Sequence, residues 1–165
     1  MKNITKQESG WVLARVWLDA MEKAFRDFHG SRPRMYTYRA YEHATEAWLR
    51  ILENEYGFKA KKAATIRGAI ENYVEIGIKG GLFEDASQFE LKEISPFRVE
   101  VKVFKCPYFD SCKDLIEEGV PVTNLTCARI GCFSAAVKLL ANIDCLYDMD
   151  SIHIDEGCHG VIIKK

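Results

Sequence analysis

Phe97-Arg98-Val99-Glu100-Val101-Lys102-Val103 alternates apolar and charged residues without a break. Successive side chains of an extended chain point to opposite faces, so this run is a strand with one buried and one wet face. Upstream, Phe89 and Leu91 alternate with Gln88, Glu90 and Lys92, and Ser95-Pro96 separates the two runs. They read as an antiparallel pair. Downstream, residues 146–164 read as two more short strands turning at Asp155-Glu156-Gly157. Between these pairs Pro107 opens a short helix over 108–118, ended by Gly119. Thr126 is the expected N-cap of a helix over 127–141, with Phe133, Ala136, Val137 and Leu140 on its apolar face.

The period changes on the N-terminal side. Over 9–28, Trp11, Ala14, Trp17, Met21, Ala24 and Phe28 recur at three- and four-residue spacings, which marks an amphipathic helix. Ser31 with Pro33 starts a second helix, which runs to Tyr56 before Gly57, and a third is expected over 60–79, stopped by Gly80-Gly81. The fold class is therefore α+β: N-terminal helical hairpins packed on a small antiparallel sheet, with a Cys-rich C-terminal helix and strand hairpin. A chain of 165 residues supports one core, so one domain over 1–165 is expected, helical through residue 84 and α/β over 85–165. The aromatic helices either pack that core or line a pocket for an apolar ligand.

A net charge of −1 with 28% charged residues leaves no electrostatic footprint for nucleic acid or an anionic membrane. No apolar run is long enough to span a bilayer, and the first nine residues lack the apolar core of a signal peptide, so a cytoplasmic protein is expected. In a reducing compartment six cysteines are thiols or metal ligands rather than bridges.

All six lie between Cys106 and Cys158, in Cys106-Pro-Tyr-Phe-Asp-Ser-Cys112, Thr126-Cys-Ala-Arg-Ile-Gly-Cys132, Cys145, and Asp150-Ser-Ile-His153-Ile-Asp-Glu-Gly-Cys158-His159. Thiolate, imidazole and carboxylate are the donors that zinc selects. Cys127 at a helix start would be acidified by the helix dipole. Cys132, five residues on, points about 140° away, so the two are not expected to share an ion. Asp150 and His153 are three residues apart, and on a strand only a bulge or turn brings them to one side. Cys112, Cys132 and Cys145 read as small buried hydrophobes, while Cys106 is either a further ligand or a pocket thiol.

At these positions the C-terminal half resembles the vinyl-4-reductase domain family of small-molecule-binding domains. The matching residues are Val99 to Val103 before Cys106-Pro107-Tyr108, then Cys127 with Gly131 and Ala135, then Asp150, His153, Gly157 and Cys158, with 23 residues from Cys127 to Asp150. The resemblance covers residues 85–165 and implies a structural zinc on Cys127, Asp150, His153 and Cys158. It also implies a small apolar or aromatic ligand between helices and sheet, a sensor or accessory role, and a homodimer. A looser resemblance to the aminothiazoline-carboxylate hydrolase family implies an enzyme instead, with Cys127 or Cys106 beside His153 or His159 as nucleophile, or with a metal-bound water. A third alternative is an iron–sulfur or redox thiol protein using Cys106, Cys112, Cys127 and Cys158.

Overall fold

The computed structural model describes residues 5–30, 34–153 and 157–165. The expected start of the second helix at Ser31 and Pro33, and the turn at Asp155-Glu156, lie outside these residues. The order is α1 (Lys6–His29), α2 (Arg34–Tyr56), α3 (Ile66–Lys79), β1 (Phe89–Ser95), β2 (Arg98–Val103), α4 (Phe109–Glu117), α5 (Ala128–Ala141), β3 (Cys145–His153) and β4 (Gly157–Lys164). The four strands form one antiparallel sheet in the order β1-β2-β4-β3. This is an α+β fold, and its C-terminal helix and strand hairpin stand where the pattern places them.

The alternation in β2 works as expected. Val99, Val101 and Val103 are buried against the helices, opposite Ile162, Gly160 and Cys158 of β4, while Glu100 and Lys102 point to the other face. Helix α5 lies on the buried face and supplies Ile130, Phe133, Ala136, Val137 and Leu140. Its contact with the sheet is close at Gly160, where a Cβ would run into Ile130 and the Asp148 carbonyl. Tyr73, Phe83, Phe89 and Phe133 then fill the space between α3, α5 and β1 with edge-on ring contacts 4.8–6.4 Å apart.

Helix α3 begins at Ile66 rather than near residue 60. Thr65 caps it, accepting from the Gly68 N–H at 3.0 Å. The preceding residues serve α5 instead: Ala63 N–H donates to the Leu140 carbonyl at 3.0 Å and Lys62 Nζ to the Leu139 carbonyl at 2.9 Å. Carbonyls that a helix end leaves without intrahelical partners are satisfied there by the connecting segment.

At the β3 edge the Tyr38 hydroxyl accepts from the Tyr147 N–H at 3.0 Å and donates to the Tyr147 carbonyl at 3.3 Å. Beyond it the β3–β4 register shifts between Met149 and Ser151, a bulge at Asp150.

The first helix departs from expectation. Its aromatic stripe does not join the core: Trp17 is 63% and Phe28 83% exposed. The helix rests on the body largely through polar contacts, with Arg15 on Asp110 at 3.1 Å, Lys23 on Glu118 at 2.6 Å, and Arg26 donating to the Asn124 carbonyl at 3.1 Å, joined by Leu18 and by the Trp11 ring against Tyr108. No described helix is long and apolar enough to cross a membrane.

Candidate functional site

The buried end of the sheet, where β2 stops and β4 begins, collects the cysteines. Val103 pairs with Cys158, and Gly157 approaches the Val103 carbonyl so closely that a Cβ there would collide with it. Its φ of 87° lies in the range that glycine adopts freely. Cys106 follows Val103 by three residues, and its carbonyl accepts from the Phe109 N–H at 3.1 Å, starting α4. Cys112 sits one turn along that helix, its N–H bonded to the Tyr108 carbonyl at 3.0 Å. Cys112 and Cys127 line one small cleft, with Tyr108, Ser111, Leu115 and Thr126.

Cys127 is the N-cap residue of α5, and it makes no side-chain cap. Its φ of 41° is unusual for a residue with a Cβ, and such conformations persist only where the surroundings enforce them. Thr126, the expected cap, is committed elsewhere. Its hydroxyl lies 3.0 Å from the Tyr41 hydroxyl, and its carbonyl accepts from the Tyr147 hydroxyl. Tyr41 also donates to Glu22 at 3.2 Å, so a polar network from α1, α2 and β3 backs onto the start of α5.

All four thiols are within electrostatic reach of one another's neighbours: Cys127 of Cys112, Cys106 and Cys158, and Cys158 of Cys106. Acidification of Cys127 by the helix dipole is not what results. Burial pushes its thiol well above the ordinary value, with Cys112 and Cys106 adding to the rise. Cys158 is pushed up to about 12, chiefly by burial. Cys106 is also raised by burial, against the pull of the adjacent Arg129 guanidinium. Desolvating a thiolate in this apolar setting outweighs half a unit charge at a helix end. Unmetallated, these are protonated thiols, and none of the six cysteines is in a disulfide. That counts against a ready nucleophile at Cys127 or Cys106.

Arg129 is the feature that the residue pattern does not announce. It is 4% exposed, with its guanidinium 4.5 Å from the Phe83 ring centre and 5.6 Å from that of Tyr108. Its Nε finds no hydrogen-bond partner, and no carboxylate pairs with it among the described residues. A buried cation without a counter-ion is costly, and the groups beside it able to become anionic are the thiols of Cys106 and Cys132 and the phenols of Tyr73 and Tyr108.

The quartet Cys127, Asp150, His153 and Cys158 is divided by the sheet. Cys127 and Cys158 are buried on the helix side. Asp150 is exposed at its bulge and lines, with Ser151, His159, Glu100 and Lys102, a groove of about 380 Å³ on the outer face. The bulge that could have turned Asp150 inward leaves it outside. His153 closes β3 opposite Gly157, and its side chain lies outside the described residues. Among the described residues no three His, Cys, Asp or Glu side chains stand at ligand spacing around one point. Asp150 thus stands apart from Cys127 and Cys158, whereas Cys106 and Cys112 lie on their side of the sheet.

The rings of Tyr73, Phe83, Phe89 and Phe133 pack together between α3, α5 and β1. A cleft of about 350 Å³ opens on the surface between α3 and β1, over Val74, Ile78, Phe89 and Leu91. No protein-family model matches this chain, and no curated protein matches its sequence.

Proposed function

We propose that this protein is a metal-binding α+β domain of the vinyl-4-reductase kind, in which Cys106, Cys112, Cys127 and Cys158 hold one soft metal ion, zinc in the first instance. What supports this reading is that Cys106, Cys112 and Cys158 all act on the buried Cys127 thiol and that the Arg129 guanidinium lies against Cys106; no three of the four stand at ligand spacing, so binding would have to draw them together. Four thiolates around a divalent ion carry two negative charges, which the arginine would offset. Binding would draw the sulfurs inward and release their protons, so affinity should rise with pH. With every ligand supplied by protein, the ion has no open position and tightens the fold rather than doing chemistry. Within this reading the protein acts in the reducing cytoplasm as a homodimer and takes a small apolar or aromatic molecule in the cleft beside α3.

The test is elemental analysis, with a visible spectrum, of protein purified anaerobically without added metal. One equivalent of zinc, lost in Cys112→Ser and Cys106→Ser but retained in Asp150→Asn, is the expected result. Iron with sulfide would replace zinc by a cluster on the same thiols. Absence of metal, or zinc that survives Cys112→Ser and is lost in Asp150→Asn, would overturn the assignment.

A further inference from the structure

Helix α1 is built inside out. Its charged residues Arg15, Lys23 and Arg26 hold it to the body, and apart from Leu18, Phe25 and the Trp11 ring edge its apolar residues face away from it. Gly10, Ala14, Trp17, Met21, Ala24 and Phe28 follow one another at intervals of four, three, four, three and four residues. That is the 3.5-residue seam of a helix pair. All six positions are exposed, and a Cβ on Gly10 would meet nothing within 4 Å.

The seam is self-complementary when reversed. A two-fold axis crossing the helix at position 19 sets Gly10 against Phe28, Ala14 against Ala24, and Trp17 against Met21 of a second copy. The most exposed ring thus meets the one seam position without a side chain, and the central pair is an aromatic ring against a thioether. A parallel pair would instead stack Trp17 on Trp17 and Phe28 on Phe28, leaving a gap at Gly10. With Leu13 and Val16 at its border, 59% and 54% exposed, the face offers on the order of 700 Å². A standard stable interface needs about 800 Å² per partner.

We infer that α1 is the homodimer interface, pairing antiparallel with α1 of a second copy about a two-fold axis at position 19. This rests on the homodimeric part of the proposed function and names its surface. The axis makes the contact isologous and closed, so assembly stops at two.

The test is sedimentation velocity over a hundredfold concentration range on the full chain. The wild type is expected to sediment as a dimer. Trp17→Glu combined with Met21→Glu should give a monomer with an unchanged far-ultraviolet spectrum. Gly10→Leu separates interface from folding, because it favours the helix in the monomer yet fills the site opposite Phe28; it should raise the dissociation constant at least tenfold without lowering the monomer's melting temperature. A wild-type monomer throughout would overturn the dimer itself. A dimer indifferent to both variants would leave the dimer standing and overturn α1 as its surface, and one weakened by the glutamates but not by Gly10→Leu would overturn the antiparallel register.

Discussion

Replacing Arg129 by methionine should change stability with opposite sign in the metal-free and metal-loaded protein. The side chain is buried between Phe83 and Tyr108, and no described carboxylate balances it. In the metal-free form the substitution gives up a cation–π contact worth about 1–2 kcal/mol. It also removes a desolvated, unpaired charge whose penalty is several kcal/mol, and methionine keeps most of the packing volume. The metal-free variant should therefore match the wild type or exceed it by up to about 2 kcal/mol. With a dianionic metal–thiolate group in place the same change breaks a buried charge pair, at a cost of about 3–5 kcal/mol. Urea denaturation of both proteins, chelator-stripped and then loaded with zinc, reads both numbers. At this chain length each kcal/mol also moves the melting temperature by roughly 2–4 °C. An equal loss in both forms would refute the reasoning, since the guanidinium would then act through packing alone.

Phe133→Ala, at a fully buried ring touching Tyr73, Phe83 and Phe89, should cost about 3–5 kcal/mol in the same urea assay. Gly131→Ala should destabilise the fold although alanine favours helices, because its Cβ would enter the Tyr41 ring; the loss should shrink in Gly131→Ala combined with Tyr41→Leu. Cys145 lies outside the thiol cluster, and burial, helped by Asp144, raises its thiol to about 11. Its native state stays protonated while the unfolded thiol ionises near about 8.5, so its contribution is complete below that pH. It is lost between about pH 9 and 11, at no more than about 1.4 kcal/mol per unit. Unfolding midpoints should fall less steeply over that window in Cys145→Ala than in the wild type.

The sheet was legible because its signal is local: a period of two with valines on one side can hardly be anything else, and Val99, Val101 and Val103 are buried as the pattern demands. Helix α3 was legible in kind but not in its start, because the segment before Thr65 is held by the end of α5, which is 77 residues distant at Lys62 and Leu139. The stripe on α1 was equally plain in the sequence, yet periodicity states that a face is apolar and not what covers it. At the site, Cys127 and Cys158 could be picked out from the turn and helix signals around them. Asp150 could not be assigned a side without knowing where the bulge falls. Arg129 is invisible to such reasoning, since an arginine on a helix is ordinarily a solvated charge, and only packing reveals that Phe83 and Tyr108 enclose it.

An open sheet has two raw margins that can recruit another chain's strand, the first step toward fibrils. Here the Tyr38 hydroxyl occupies both free backbone groups of Tyr147. The kink at Asp150 then throws the remainder of that margin out of line. One phenol thus works as a bolt on one of the two edge strands, and Tyr38→Phe, though it removes a single oxygen, should leave a protein that folds normally yet seeds aggregation on prolonged storage.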